Sequence, residues 1–180
     1  MDDHPLSTVE YLLTEETNKR RELAWGVVRE PPAPFYSHQR IVLEVARVLQ
    51  DHVEPRGLGR VAIAPLDVIL DEEKALIVQP DVLFVAAERL SIIRDQIWGA
   101  PDLVVEVLSD GTQAHDRSTK LGWYRQYGVR ECWLIDPFSR RVIVVDFTGH
   151  WPEQVVARGA QAIQSAVLPT LQLTAARVFT

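Results

Sequence analysis

The sequence has little of what disulfide-rich and zinc-binding proteins need. Its single cysteine, Cys132, cannot form a disulfide within the chain. It lies in the apolar run ECWLID, where a buried thiol with a structural role is the ordinary outcome. The histidines are scattered, and the HxH and HExxH spacings that build zinc sites are absent. We therefore expect neither a disulfide-stabilised fold nor a zinc site.

Long hydrophobic runs and excess positive charge are also missing. No stretch of about 18 apolar residues is present to span a bilayer. The first residues, MDDHPLSTVEYLL, are acidic where a signal peptide is basic. We therefore expect a cytoplasmic protein without membrane contact. The net charge of -6 counts against nucleic acid as a partner, since Lys and Arg supply most non-specific affinity. A locally positive cleft is nevertheless compatible with an acidic outer surface.

What is present indicates an ordinary globular protein. The chain has 180 residues, of which 47% are hydrophobic and 24% charged. This length and composition are sufficient for one sizeable core. We expect a single domain over residues 1–180.

The pattern of apolar residues predicts an α/β fold with a mixed central β-sheet flanked by helices. Turn residues such as those of PPAPF separate the periodic segments. The predicted elements are, in order, a helix over 7–18, a strand in RRELAWGVVRE, a helix from Ser37 to about Pro55, one or two strands in RVAIAPLDVIL, a strand over 81–85, a strand over 103–108, a helix over 116–127, strands in ECWLIDP and RVIVVDF, and a short closing element.

Two Pro-Asp dipeptides occur in the sequence, at Asp81 and at Asp102. If the strands 81–85 and 103–108 pair antiparallel, the start of the first lies beside the end of the second. Asp81 then approaches Glu106. Asp102 lies at the other end, on the order of 13 Å from Glu106 at roughly 3.3 Å per residue. This geometry selects Asp81.

Asp81 and Glu106 form a pair of carboxylates among apolar residues. Keeping two such groups ionised without a cation has a high cost in free energy. Mg²⁺ prefers oxygen ligands, keeps several waters and accepts one or two carboxylates together with a phosphate oxygen. A bound Mg²⁺ lowers the pKa of water and stabilises charge on phosphate. The pair therefore predicts a Mg²⁺ site, with Mn²⁺ as an alternative ion, for phosphodiester hydrolysis.

Three ordered segments, QPDVLFV, GAPDLVVEVLSD and DRSTKLGWYRQYGVRECWLIDP, are similar to the bacterial Uma-type restriction endonuclease family, a branch of the PD-(D/E)xK nucleases. RRELAWGVV, SHQRIVLEVARVL and LPTLQLTAARVF match too, so the likeness covers nearly the whole chain. The resemblance implies a restriction-endonuclease-like core and a Mg²⁺-dependent endonuclease acting on DNA. Enzymes of this class usually act as homodimers, and ECWLIDP and RVIVVDF are the strands we expect at the dimer contact.

Site residues follow from the same resemblance. Asp81 corresponds to the motif aspartate and Glu106 to the second acidic residue. Leu108 stands where the pattern expects lysine. Lys120, in the following predicted helix, is the candidate to supply that cation, positioning a water or offsetting phosphate charge. Glu22 matches an early acidic position and is a candidate third metal ligand.

Polar residues near these positions are expected to line the same pocket. Gln79 directly precedes the Pro-Asp element. His38 or Gln39, at the start of a predicted helix, could meet a phosphate there.

Each site residue also has a structural alternative. Asp81, after a proline, suits a turn. Glu106 would be merely solvated if its strand lay at an exposed edge. Lys120 could pair with Asp116 at helical spacing, and Glu22 could be a surface charge.

Two rival functions remain open on the sequence alone. A nuclease fold that has lost activity and serves as a binding or regulatory module is the first, and Leu108 is its best support. The second is a non-nuclease protein whose acidic cluster binds Ca²⁺ or no metal. Metal binding and DNA cleavage separate the three hypotheses.

Overall fold

The structure is a computed structural model that describes residues 4–109 and 114–180, with residues 114–116 described by their backbone alone. The helices are α1 (Thr8–Leu12), α2 (Tyr36–Val53), α3 (Ala114–Tyr127) and α4 (Ala175–Val178), with 3-10 helices at Glu54–Arg56 and Ala87–Ile92. The strands are β1 (Glu22–Ala24), β2 (Val27–Arg29), β3 (Gly59–Ile63), β4 (Val68–Asp71), β5 (Leu76–Val78), β6 (Val82–Ala86), β7 (Ile97–Trp98), β8 (Leu103–Val107), β9 (Glu131–Asp136), β10 (Arg141–Asp146) and β11 (Glu153–Arg158).

The strands form two mixed sheets. One has six strands in the order β11-β10-β9-β8-β6-β3, and the other has five in the order β2-β1-β5-β4-β7. The α/β class with mixed pairing and flanking helices is confirmed, but it has two sheets where the sequence predicted one. The separation falls at Gln79 and Pro80, between β5 and β6. Because proline cannot donate to a strand ladder, the chain leaves one sheet there and enters the other.

The segment RRELAWGVVRE forms a hairpin instead of the single predicted strand. Strands β1 and β2 pair antiparallel, with Ala24 opposite Val27. Trp25 and Gly26 between them have φ angles of 54° and 83°. Two successive positive φ angles are the geometry of a tight hairpin turn, which glycine adopts without strain. The alternation of apolar residues continued through this turn, and the prediction therefore missed the reversal.

Helix α1 is shorter than predicted. Its capping box is present, with the side chains of Ser7 and Glu10 both bonded to backbone, but the helix ends at Leu12. Beyond that point, the Thr14 hydroxyl donates to a backbone carbonyl and Thr17 accepts from a backbone N–H. Such local bonds compete with the helical pattern and help to end the helix early.

The six-stranded sheet is packed on both faces. Along β6, Val82 and Phe84 belong to one hydrophobic cluster and Leu83 and Val85 to another, as strand alternation requires. The first cluster packs against α2 and α4, and the second against α3 and the five-stranded sheet. The α2 stripe consists of Ile41, Val42, Val45, Leu49 and Val53. The second face of the six-stranded sheet is therefore covered by α3 and by the five-stranded sheet.

The register of β6 and β8 agrees with the geometry predicted from the sequence. The two strands pair antiparallel with Val82 opposite Val105. Asp81, one residue before Val82, is thus set beside Glu106, one residue after Val105. The side chains of Asp81 and Glu106 share the parity of Leu83 and Val104, which pack on the second face. Both carboxylates therefore point toward α3 and β1.

Strands β9 and β10 cannot supply the edge for a dimer contact that the sequence suggested. Strand β9 lies between β10 and β8, and β10 lies between β11 and β9. Their backbone groups are paired on both sides within the chain, and their side chains are mostly buried.

In the part of the chain that the structure describes, no helix has the length and apolar character needed to cross a membrane.

Candidate active site

Asp81 lies directly before β6 and bonds to the neighbouring strand. Its Oδ2 accepts a hydrogen bond of 2.7 Å from the backbone N–H of Val107. The side chain is only 3% exposed, and Nε2 of His38 lies 3.4 Å from Oδ2. Asp81 is thus held between the end of β8 and the first turn of α2. His38 lines the cleft, and its expected contact with a phosphate stays a prediction.

Arg20 joins the two carboxylates predicted as a pair. Its Nη1 donates to Oδ1 of Asp81 at 2.6 Å, and its Nη2 lies 3.3 Å from Oε2 of Glu106. The same Nη2 donates to the backbone carbonyl of Gln79 at 2.5 Å. Burial lowers the pKa of Arg20, but the two carboxylates outweigh burial and raise it above its usual range. The group is a permanent cation.

Sequence reasoning missed Arg20 as a site residue. The available signal was its spacing, since residues two apart on an extended segment share a side. An arginine two positions before a site glutamate therefore points the same way. The arginine bonds Asp81, which is 61 positions away. That long-range contact could not be read from the local pattern.

Lys120 bridges Glu106 and a third carboxylate, Glu22. Its Nζ lies 2.8 Å from Oε1 of Glu22 and 2.9 Å from Oε1 of Glu106. Burial lowers the pKa of Lys120, but Glu106 and Glu22 outweigh burial and raise it above its usual range. Lys120 therefore acts as a fixed positive charge at neutral pH and not as a base. The alternative partner, Asp116, has a side chain that lies outside the described residues.

Tyr124 is a second site residue that the sequence did not identify. Its hydroxyl donates a very short hydrogen bond to Oε1 of Glu106. Burial, and then the charge of Glu106, raises the pKa of this phenol well above its usual value, so it stays a neutral donor. Tyr124 follows Lys120 by four positions and so lies on the same side of α3. That spacing, in an element that follows the Glu106 strand, was the signal that could have identified it.

The Asp81 and Glu22 carboxylates remain ionised despite their burial. Burial raises the pKa of Asp81, but the hydrogen bond from His38 and the charge of Arg20 bring it below its ordinary value. Burial also raises the pKa of Glu22, and Lys120 and Arg20 outweigh that effect to lower it. At neutral pH these two negative groups therefore face the positive groups of Arg20 and Lys120.

Acid is expected to destabilise the protein through this cluster. Because the pKa values of Asp81 and Glu22 are lowered in the folded state, their contribution to stability is present above the ordinary carboxylate pKa of about 4 and is lost as the pH falls through the lowered values. The free energy of unfolding in urea should fall steeply below about pH 4. The double variant Asp81→Asn, Glu22→Gln should have a shallower dependence. Equal slopes would contradict this assignment.

Asp102, in the other Pro-Asp dipeptide, has a different setting. Its Oδ2 accepts from the backbone N–H of Ala86 at 2.8 Å, and its Oδ1 lies 3.1 Å from Arg89 and 3.5 Å from Arg130. It is fully buried at the far end of β8. The prediction that Asp102 and Glu106 lie at different ends of the same strand is confirmed. The contacts of Asp102 connect neighbouring turns of the chain.

The cluster opens into a cleft with a volume of about 640 Å³. A neighbouring cavity of about 540 Å³ is lined by Arg20, His38 and Asp81. Leu108, where the motif expects lysine, lines the cleft itself. The other residues at the cleft that matter for the site are Arg20, Glu22, Glu106, Lys120 and Tyr124, with segment 31–35 and Phe138 at the mouth. The charged groups are therefore accessible to a ligand of nucleotide size.

The oxygens of Asp81 and Glu106 suit a hard cation, because both already face the guanidinium of Arg20. Among the described residues, no group of three or more His, Cys, Asp or Glu side chains is arranged to hold a metal ion. Glu22 meets Glu106 through the ammonium of Lys120. Two carboxylates with several waters are nevertheless an ordinary Mg²⁺ environment. The carboxylates of Asp81 and Glu106 therefore fit Mg²⁺ as a two-carboxylate site.

Comparison with known proteins agrees with this architecture. The Uma2 family, described as "Putative restriction endonuclease", matches residues 8–176. No curated protein matches the sequence. A crystal structure from Anabaena variabilis, described as "a putative nuclease belonging to DUF820", superposes with a TM-score of 0.82 at 21% identity, covering 97% of this chain and 98% of that one. The resemblance found in the sequence is thereby confirmed, and the chain belongs to the Uma2 family of restriction-endonuclease-like proteins.

Proposed function

We propose that this protein is a Mg²⁺-dependent endonuclease that hydrolyses DNA phosphodiester bonds. The observation that carries the proposal is a chain of contacts: Arg20 contacts both Asp81 and Glu106, and Lys120 lies 2.9 Å from Glu106 at a cleft that Glu106 and Lys120 both line. The family of the chain and the fold of its structural neighbour support the same activity.

In this proposal Asp81 and Glu106 hold the metal. When bound, Mg²⁺ or Mn²⁺ would lower the pKa of a coordinated water and stabilise the charge that develops on the phosphate. Glu22 bonds Lys120, so direct ligation of a metal by Glu22 requires Lys120 to move. We therefore assign Glu22 first to the support of Lys120 and second to the metal.

Lys120 supplies the positive charge that Leu108 cannot. Because its pKa is raised, its ammonium can orient the attacking water or neutralise a phosphate oxygen, but it cannot remove a proton at neutral pH. Tyr124 donates to Glu106 and so holds that carboxylate in position. During hydrolysis a water oxygen bonds to phosphorus as the bond to the leaving sugar oxygen breaks; the attacking water gives a proton to solvent, and the leaving oxygen takes a proton from solvent.

The direct test is cleavage of DNA by the purified protein. Supercoiled plasmid should be nicked and linearised with Mg²⁺ or Mn²⁺, and chelation by EDTA should stop the reaction. Labelled RNA of the same sequence, assayed in parallel, decides between the two nucleic acids. If DNA stays intact with either metal and Asp81→Ala changes only stability, the inactive binding or regulatory module is the better description. Leu108 favours that second candidate.

Cutting both strands requires two active sites, so we propose that the protein acts as a homodimer in the cytoplasm. The contact must lie away from the edges of β9 and β10, which are paired within the chain. The molar mass in solution, measured by light scattering, tests the dimer, and a monomeric mass at working concentration would contradict it.

A further inference from the structure

We infer that Arg20 occupies the cation position between Asp81 and Glu106, and that a divalent metal binds there by exchanging with the Arg20 guanidinium. This inference rests on the proposed function, because it concerns the same two carboxylates. Arg20 would then be a positioning residue that holds the metal-free site together and sets its metal affinity. No step of hydrolysis needs to be assigned to it.

The first support is the geometry of the guanidinium. Nη1 of Arg20 lies 2.6 Å from Oδ1 of Asp81 and Nη2 lies 3.3 Å from Oε2 of Glu106, so the guanidinium stands between the two oxygens that a shared metal would use. A metal ion sits about 2.1 Å from each oxygen ligand. A metal and a guanidinium bound to the same oxygens would be two cations in near contact, at a site with little solvent to screen them. Exchange avoids that repulsion.

The second support is the room beside Arg20. The residues that line the cavity of about 540 Å³ include Asn18, Lys19, Arg20, His38 and Asp81. It therefore reaches the Asp81 carboxylate directly. A displaced guanidinium could move into this space without unfolding the neighbouring strands, since Arg20 precedes β1 and lies outside the sheets.

The third support is the charge of the cluster. Three carboxylates, from Glu22, Asp81 and Glu106, face two permanent cations, Arg20 and Lys120. Without Arg20, Asp81 and Glu106 would lose the cation that they share. They would then attract a metal cation more strongly. Removal of Arg20 should thus raise metal affinity. An arginine with a purely structural role would have the opposite effect, because its loss would loosen the metal ligands.

The test is calorimetric titration of the full-length protein with Mn²⁺. Arg20→Gln should bind Mn²⁺ about tenfold more tightly than the wild type, a typical size for competition between linked sites. Arg21→Gln is the matched control, because the Arg21 side chain contacts Thr14 and Glu30 and does not bond Asp81 or Glu106. Its affinity should equal that of the wild type. Adding Asp81→Asn to either protein should abolish binding.

The possible outcomes separate this inference from the proposed function. Equal or weaker Mn²⁺ binding by Arg20→Gln, still dependent on Asp81, overturns the exchange and leaves the metal site standing. Absence of Mn²⁺ binding in all folded proteins overturns both.

If Arg20→Gln does not fold, an NMR titration of the wild type with Mg²⁺ tests the exchange. The side-chain ¹⁵N signals of Arg20 should shift with Mg²⁺ at the midpoint of metal binding while those of Arg21 stay constant. Unchanged Arg20 signals at saturating Mg²⁺ overturn the exchange.

Discussion

Replacement of Asp81 by asparagine is expected to abolish DNA cleavage while the protein stays folded. Asparagine keeps the shape of the side chain and an oxygen that can accept from the Val107 N–H, but it removes the charge that faces Arg20. Loss of even an outer partner of a metal ligand costs 10- to 100-fold, so removal of a ligand should cost more than about 100-fold. Single-turnover cleavage with saturating Mg²⁺ measures the loss, and circular dichroism checks the fold.

Asp102→Asn is the matched control for this prediction, because Asp102 is the other aspartate that follows a proline. It bonds Ala86, Arg89 and Arg130 at the far end of β8. Its substitution should lower the free energy of unfolding by roughly 1.5 to 3 kcal/mol, the range for hydrogen bonds to charged groups. Cleavage below the unfolding temperature should persist. Similar activity losses in the two variants would argue against a specific role for Asp81.

Replacement of Lys120 by methionine is expected to reduce cleavage by roughly 100- to 1000-fold, as loss of one preorganised charge does in other enzymes. Metal binding should survive, because Asp81 and Glu106 remain. That separates the variant from Asp81→Asn, which should lose both. Methionine retains much of the packing of the lysine stem, so the measured change reports on the ammonium. Calorimetry with Mn²⁺ and cleavage assays on the same sample measure the two properties.

A lysine placed at position 108 tests whether the charge can be supplied from the strand. Leu108 follows Glu106 by two positions and lines the same cleft. The double variant Lys120→Met, Leu108→Lys should therefore recover part of the lost activity, with some loss of stability from the buried lysine. If Lys120→Met cleaves as fast as the wild type, Lys120 has a structural role and the assignment of the missing motif charge to it is wrong.

The positions of Asp81 and Glu106 were predictable because they depend on local patterns and on a regular geometry. Two apolar segments could be identified as strands, and their antiparallel pairing with a fixed rise per residue brings the first aspartate beside the glutamate. The structure has the pairing of Val82 with Val105 that this requires. The same regularity separated Asp102 from the site.

The partners of these carboxylates were harder to predict. Lys120 was a candidate with a surface alternative, because long charged side chains are usually exposed. Arg20 and Tyr124 were not identified as site residues. Each acquires its role only through a contact far along the chain, such as the 98 positions between Lys120 and Glu22.

The sequence by itself determined the α/β class, the main helices, the family resemblance and the pair of carboxylates. These follow from periodicity, motif order and the fixed spacing of strands. The tertiary structure alone decided that the strands form two sheets, that RRELAWGVVRE turns back as a hairpin, and that Arg20 stands between Asp81 and Glu106. These features arise where β1 and α3 pack over one face of the six-stranded sheet. Burial then forces charged side chains from distant segments to neutralise one another, and no local pattern specifies which partners meet.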